Sequence, residues 1–272
     1  MASLDSKAIS NLARQVRLHL ESLKAAGMEW LPSAKGAAEI LLLEPAADSP
    51  MAETSLLPDP KPIASTVAIP AQSGGSSASS VEGCRQALTF LVNRVSKCSR
   101  CPELFATRTQ TVFGVGKART DLCFVGEAPG ADEDRQGEPF VGAAGKLLNR
   151  IIVACGMTRE EVYICNIIKC RPPGNRTPLP NEAANCRAHF ERQLELVQPK
   201  FICALGSTAA RYLLNTTQGI GQLRGRFHDY RGIPVICTYH PAYLLPHRSP
   251  GKKKEVWEDM KMLLAKMGRP IK

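Results

Sequence analysis

Four short apolar runs constrain most tightly what this chain can fold into. They are DLCFVG at 121–126, EVYICNII at 161–168, KFICALG at 200–206 and IPVICTYH at 233–240. Each is too short for a core helix, and none alternates polar with apolar, so each reads as a strand buried on both faces. Helical patterns separate them: AAGKLLNRIIVACG, NEAANCRAHFERQLELVQ and STAARYLL, with KKKEVWEDMKMLLAKM closing the chain and a further helix over roughly 84–97. Alternating strand and helix predicts a mainly parallel sheet covered on both faces, with a site at the carboxyl ends of its strands. GRFHDYRG running into IPVICTY predicts a hairpin turning at Arg231-Gly232.

The remaining chain differs in kind. Ile9, Leu12, Val16, Leu20 and Leu23 form one stripe of an amphipathic helix within residues 1–30. Residues 31–81 then turn rich in Pro, Ala, Ser and Gly, as in a flexible linker that cannot bury enough apolar surface to offset its entropy. Residues 82–272 are left as the catalytic-size domain, and residues 1–30 as a docking element for a replication or repair partner. The net charge of +10 is uneven: residues 1–80 hold six basic and eight acidic side chains, so the body carries about +12. Such a body favours an anionic partner, nucleic acid first. Lys169, Arg171, Arg176, Arg224, Arg226 and Lys252 to Lys254 are candidate phosphate contacts. No apolar run is long enough to span a membrane, and MASLDSKAIS lacks the pattern of a secretory signal. With ten cysteines, several inside the apolar runs, the expectation is a reducing cytoplasm; a monomer of bacterial type that joins the nucleoid while it acts is expected separately from the cysteines.

Four motifs carry chemistry. In VGEAPGADEDRQGEPFVGAAGK, a strand ends at Gly126 and a tight loop at Glu127-Ala128-Pro129-Gly130 brings main chain close to a ligand, with Phe140 returning to the same rim. The acids Asp132, Glu133 and Asp134 read as solvated, and the absence of Gly-Lys-Ser/Thr argues against a phosphate loop. Cys98-Ser-Arg-Cys101, with Cys170 and Cys186 flanking RPPGNRTPLPNEAAN, makes a four-thiolate set that suits zinc or an iron–sulfur cluster alike. Asn166 ends an apolar strand, where its amide has both a donor and an acceptor for a base edge. His240 ends another, in the segment TYHPAYLL from Thr238 to Leu245, stiffened by Pro241.

Together, GEAPGADEDRQGEPFVG, YICNIIKCRPPGNRTPLPNEAANC, HPAYLL and CSRC closely resemble the family 4 uracil-DNA glycosylases, over residues 84 to 268. The resemblance implies a three-layer α/β/α sandwich on a four-stranded, mainly parallel sheet, and removal of uracil from DNA to leave an abasic site. It implies a [4Fe–4S] cluster on Cys98, Cys101, Cys170 and Cys186. It implies that Glu127 and Ala128 line the pocket, Phe140 stacks on the flipped base, Asn166 reads its polar edge and His240 bonds its O2, with Glu127 and His240 as catalytic groups. Leu244 or Leu245 is then the candidate wedge that fills the gap in the duplex. Where the family often carries Arg directly after HPAYLL, this chain has Pro246-His247-Arg248. The plain RPPGNRTPLP loop, free of an Arg-rich insertion, implies turnover rather than covalent capture.

Overall fold

A computed structural model describes residues 81–270. The amphipathic helix of residues 1–30, its docking role and the linker that follows lie outside the described residues.

The chain enters with α1 (Val81–Ser96) and α2 (Pro102–Thr107), then builds β1 (Val115–Gly116), β2 (Leu122–Gly126), α3 (Ala131–Gln136), α4 (Ala143–Ala154) and β3 (Tyr163–Asn166). It continues through α5 (Pro180–Val197), β4 (Phe201–Leu205), α6 (Ser207–Leu214), α7 (Ile220–Leu223), β5 (Phe227–Tyr230), β6 (Ile233–Thr238) and α8 (Lys253–Lys266). The sheet order is β1-β3-β2-β4-β6-β5. The four runs named above are its centre, all parallel: β3 with β2, β2 with β4, β4 with β6. The expectation of four strands is corrected to six, because an antiparallel strand is added at each edge. At two residues, β1 is too short to leave a periodic signal. The hairpin turns where expected, with Arg231 and Gly232 both at positive φ (53° and 82°), the backbone of a type I′ turn.

The strands sort their side chains by parity. Cys123, Val125, Cys165, Ile202, Ala204, Val235 and Cys237 pack on one face with Phe190, Leu194 and Val197 of α5 and Ala209, Ala210 and Leu213 of α6. Leu122, Phe124, Ile164, Cys203, Leu205 and Ile236 pack on the other, with Leu148 and Ile152 of α4 and Val256, Met260, Leu263 and Leu264 of α8. This period-two alternation on a sheet buried both ways explains why the strands read as unbroken apolar runs. Four of the cysteines are small core residues in these strands, and no disulfide forms.

A buried ionic cluster ties α8 to the end of β6. Asp259, fully buried, accepts Arg224 Nη2 at 3.0 Å, Arg224 Nε at 3.1 Å, the Gly225 amide at 3.1 Å and the Thr238 hydroxyl at 2.6 Å. Arg224 also pairs with Glu255 at 3.1 Å. Arg224 is thereby spoken for inside the protein and is withdrawn from the candidate phosphate contacts. Asp259→Ala would leave Arg224 with Glu255 as its one carboxylate partner and orphan the Gly225 amide and Thr238 hydroxyl, so we expect a loss of about 2–4 kcal/mol. In a domain this size that is a fall in thermal midpoint on the order of 10 °C, measured by circular dichroism melting; an unchanged melt would show that the cluster contributes nothing net.

Candidate active site

The carboxyl ends of β2, β3 and β6 open onto one cleft of about 320 Å³, lined by Glu127, Ala128, Pro129, Gly130, Glu133, Phe140, Ala144, Asn166, Pro172, Asn175, Arg176, His240, Ala242 and Arg248. All five pocket residues expected from the sequence, Glu127, Ala128, Phe140, Asn166 and His240, are brought together there.

The cleft is built on a missing side chain. Gly126 and Asn166 are the last registered pair of the β2–β3 ladder. A Cβ on Gly126 would lie 2.4 Å from Asn166 Oδ1 and 2.6 Å from Phe140 Cζ, so only glycine lets both side chains close over the strand end. The Asn166 amide is 2 % exposed, and its Oδ1 has no hydrogen-bond partner among the described residues. A buried, unpaired carbonyl oxygen costs about 1–3 kcal/mol unless a ligand donates to it.

Phe140 sits at φ 55°, in the left-handed region that a bulky residue rarely occupies. Its carbonyl is crowded by α4, where a Cβ on Gly145 would lie 1.8 Å from Phe140 O. Glu133 fixes the loops on either side. Its Oε2 accepts the Gly130 amide at 3.1 Å, and its Oε1 accepts the Val141 and Gly142 amides at 2.9 and 3.0 Å. One carboxylate thus clamps the Pro129-Gly130 turn to the Phe140 loop. The expectation of solvated acids is corrected here: 131–136 is a helix, Glu133 is its capping carboxylate, and Asp134 is buried, accepting the Thr109 amide at 3.0 Å. The signal was in the sequence, as a glycine followed three residues later by Glu, the spacing of a capping box.

His240 is held as a neutral ring. Burial pushes its pKa down to about 4, against the pull of the Glu133 carboxylate. Its Nδ1 accepts the Ala242 amide at 3.2 Å, which leaves the proton of the neutral ring on Nε2. The ring lies 5.5 Å from that of Phe140, tilted by 32°. A flat aromatic wall, an unpaired acceptor on Asn166 and an N–H donor on His240 therefore share one cleft.

The wedge candidates separate. Pro241–Leu244 is a single 3-10 turn that carries Leu244 back into the core, 1 % exposed, beside Val256 and Met260. Leu244 is thus corrected to a core residue; Leu245 is half-buried and Tyr243 exposed. Arg248 returns to the cleft. Arg176, expected on phosphate, bonds Glu182 at 2.7 Å and Glu103 at 2.8 Å and braces the Pro-rich loop instead.

Cys98, Cys101, Cys170 and Cys186 all line a second, small pocket with Arg108, Lys169 and Asn185. Among the described residues no three His, Cys, Asp or Glu side chains converge tightly enough for a single metal ion. The thiols ring a space rather than a point. Each sulfur meets an N–H: Arg108 Nη1 to Cys170 at 2.9 Å, Arg100 Nε to Cys98 at 3.5 Å, Asn185 Nδ2 to Cys101 at 3.6 Å, and the Lys169 amide to Cys186. Burial raises Cys186 to about 11, whereas at Cys98 the opposing effect of burial is outweighed by the Arg100 hydrogen bond and the charges of Arg100 and Arg108, and the thiol lies below its usual value. This donor set suits an anionic group bound through several thiolates.

A model of the uracil DNA glycosylase superfamily matches residues 113–261. A type-4 uracil-DNA glycosylase of Thermotoga maritima is 45 % identical over 179 residues, covering 65 % of this chain and 93 % of the relative. One from Archaeoglobus fulgidus is 41 % identical over 188 residues, covering 65 % and 92 %. A type-5 uracil-DNA glycosylase of Pyrobaculum aerophilum is 29 % identical over 187 residues, covering 56 % and 81 %.

The His240 ring gives a test in solution. Its folded value of about 4 lies below the ordinary 6.5, so the folded state binds fewer protons. The stabilising contribution is complete above pH 6.5 and is lost as pH falls through about 4. Imidazole nitrogen NMR should show a neutral Nε2–H tautomer throughout pH 5 to 8; a His240 titrating near 6.5 would overturn this.

Proposed function

The chain belongs to the uracil-DNA glycosylase superfamily, among its type-4 enzymes, and from that premise we propose how its own residues remove uracil. It excises uracil from DNA by hydrolysing the N-glycosidic bond, the first step in repairing deaminated cytosine. A base stacked in a duplex cannot be reached, so the uracil nucleotide is flipped out, at a cost of a few kcal/mol. Stacking against Phe140 offsets about 1–3 kcal/mol of that cost.

The observation that carries this reading is the pairing of an unpartnered Asn166 Oδ1 with a His240 that donates from Nε2 in the same cleft. Uracil offers an N3–H and two carbonyls. Asn166 is aimed to read the N3–H and a carbonyl, and His240 to donate to O2. As the bond breaks, negative charge builds on the departing base. A fixed, neutral N–H donor stabilises that charge without any rearrangement, as an oxyanion-hole donor does. Glu127, at the cleft wall, balances the positive sugar and orients the attacking water. Leu245 replaces Leu244 as the wedge, with Arg248 at the cleft in place of the arginine that usually follows HPAYLL.

Cys98, Cys101, Cys170 and Cys186 would hold a [4Fe–4S] cluster, which supplies bond energy tying the 98–101 segment to the 170–186 loop and takes no part in the reaction. Uracil-containing DNA, gripped by the basic body, is the partner, and binding weakens with salt. No helix among the described residues is long and apolar enough to cross a membrane, and a reducing cytoplasm suits a thiol-rich core.

His240→Ala should lower the single-turnover rate on a uracil oligonucleotide about 10²–10³-fold, with duplex affinity unchanged; wild-type alkali-sensitive cutting would refute the donor role. Cys98→Ala should yield colourless, poorly soluble protein. A brown, fully active C98A enzyme would remove Cys98 from the ligand set.

A further inference from the structure

Lys169, marked in the sequence as a phosphate contact, is 1 % exposed and cannot reach DNA. Its ammonium donates to Asn166 O at 2.7 Å and to Gln193 Oε1 at 2.5 Å. It lies 5.7 Å from the centroid of Phe113 and 5.5 Å from that of Phe190. Among the described residues no carboxylate pairs with it, although every other buried charge in this domain has a partner of opposite sign or a set of amide donors. An ammonium buried without a counter-charge costs several kcal/mol. The same residue lines the cysteine pocket, and its own amide donates to Cys186.

We propose that Lys169 is a positioning residue that joins the two sites: its counter-charge is the anionic thiolate-bound cluster, and its ammonium, held there, fixes the Asn166 carbonyl and so aims the base-reading amide. The inference rests on the cluster assigned above.

The connection is short and rigid. Four residues, Asn166 to Lys169, lead from the base reader to the cluster ligand Cys170. Ile167 and Ile168 within them donate their amides to Gly126 O and Glu127 O, at 3.0 and 3.3 Å. Gln193 closes the arrangement from α5, the helix that carries Cys186. Its Nε2 donates to Phe113 O and to the Tyr163 hydroxyl, both at 2.9 Å, leaving its oxygen for Lys169. Both neutral partners of the ammonium accept, so neither supplies the missing negative charge. A tetrathiolate iron–sulfur group would.

The experiment compares holoenzyme purified anaerobically as wild type, Lys169→Met and Lys169→Arg, reading two quantities: the rate at which an iron chelator removes iron, and the free-uracil concentration that inhibits cleavage. We expect K169M to lose iron several-fold faster and to need about tenfold more uracil, the effect of losing one charged hydrogen bond. K169R, which keeps the charge but replaces the single Nζ donor with a longer, planar fork that cannot repeat the bonds to Asn166 O and Gln193 Oε1, should hold iron like wild type and still bind uracil weakly. That split is one a merely structural residue would not give, and K169R alone carries it if K169M does not fold. Wild-type values of both quantities in either variant would overturn the proposal, as would equal loss of iron in K169R and K169M. Wild-type protein without iron would overturn the cluster itself, and the counter-charge with it.

Discussion

The close approach at the end of the β2–β3 ladder is the constraint on which the site depends. Gly126 has no side chain, so the Asn166 amide and the Phe140 ring meet over a strand end that any Cβ would obstruct. Parallel strands set the register that places Gly126 opposite Asn166, and because the four central strands run parallel, the helices that connect them cover both faces of the sheet. The ring then fixes where the Phe140 loop must return, and Glu133 holds it there through three main-chain amides. Packing over the whole sheet is in this sense converted into the placement of two side chains.

The sequence was most legible where burial is symmetrical. Runs such as LCFVG and FICAL are apolar on both faces, and their ends mark the cleft without ambiguity. Asn166 and His240 were readable for the same reason, since polar groups at the ends of such runs have few places to point; Glu127, Ala128 and Phe140 were legible only through the glycine-rich loop motif and the family resemblance it carries. The misreadings share a different cause. Leu244 follows Pro241 by three residues, and only the curl of a 3-10 turn decides that it faces the core while Tyr243 faces out. Lys169 and Arg224 look like surface cations by residue type, yet lie inside with partners 24 and 35 positions away. No local pattern encodes such long-range pairing. Strand β1 escaped because two residues carry no period.

Two polar systems with different strategies flank the site. The Asp259 cluster pairs opposite charges and saturates the carboxylate with donors before the His240 loop begins. The loop itself holds its histidine neutral through burial, with the positive charge of Arg248 acting in the same direction and the Glu133 carboxylate against it. On the other side, Arg176 spans Glu182 and Glu103 and braces the Pro-rich segment against α2. Both systems commit their charges to architecture, which leaves Glu127 and Arg248 as the charged groups of the cleft that neither an ion pair among the described residues nor, as at Glu133, a set of main-chain amides engages.

The left-handed backbone at Phe140 has a consequence for how selection operates. A residue at φ 55° whose two following amides are both held by Glu133 has a backbone with little room to move. The slot it walls is consequently finished before any nucleotide arrives, and the ordering entropy has been met during folding. Discrimination then falls on the nucleotide: one that fits gains contact at once, and one that does not finds no pliable wall, so selectivity is set by the shape of a mould and not by the timing of a closing gate.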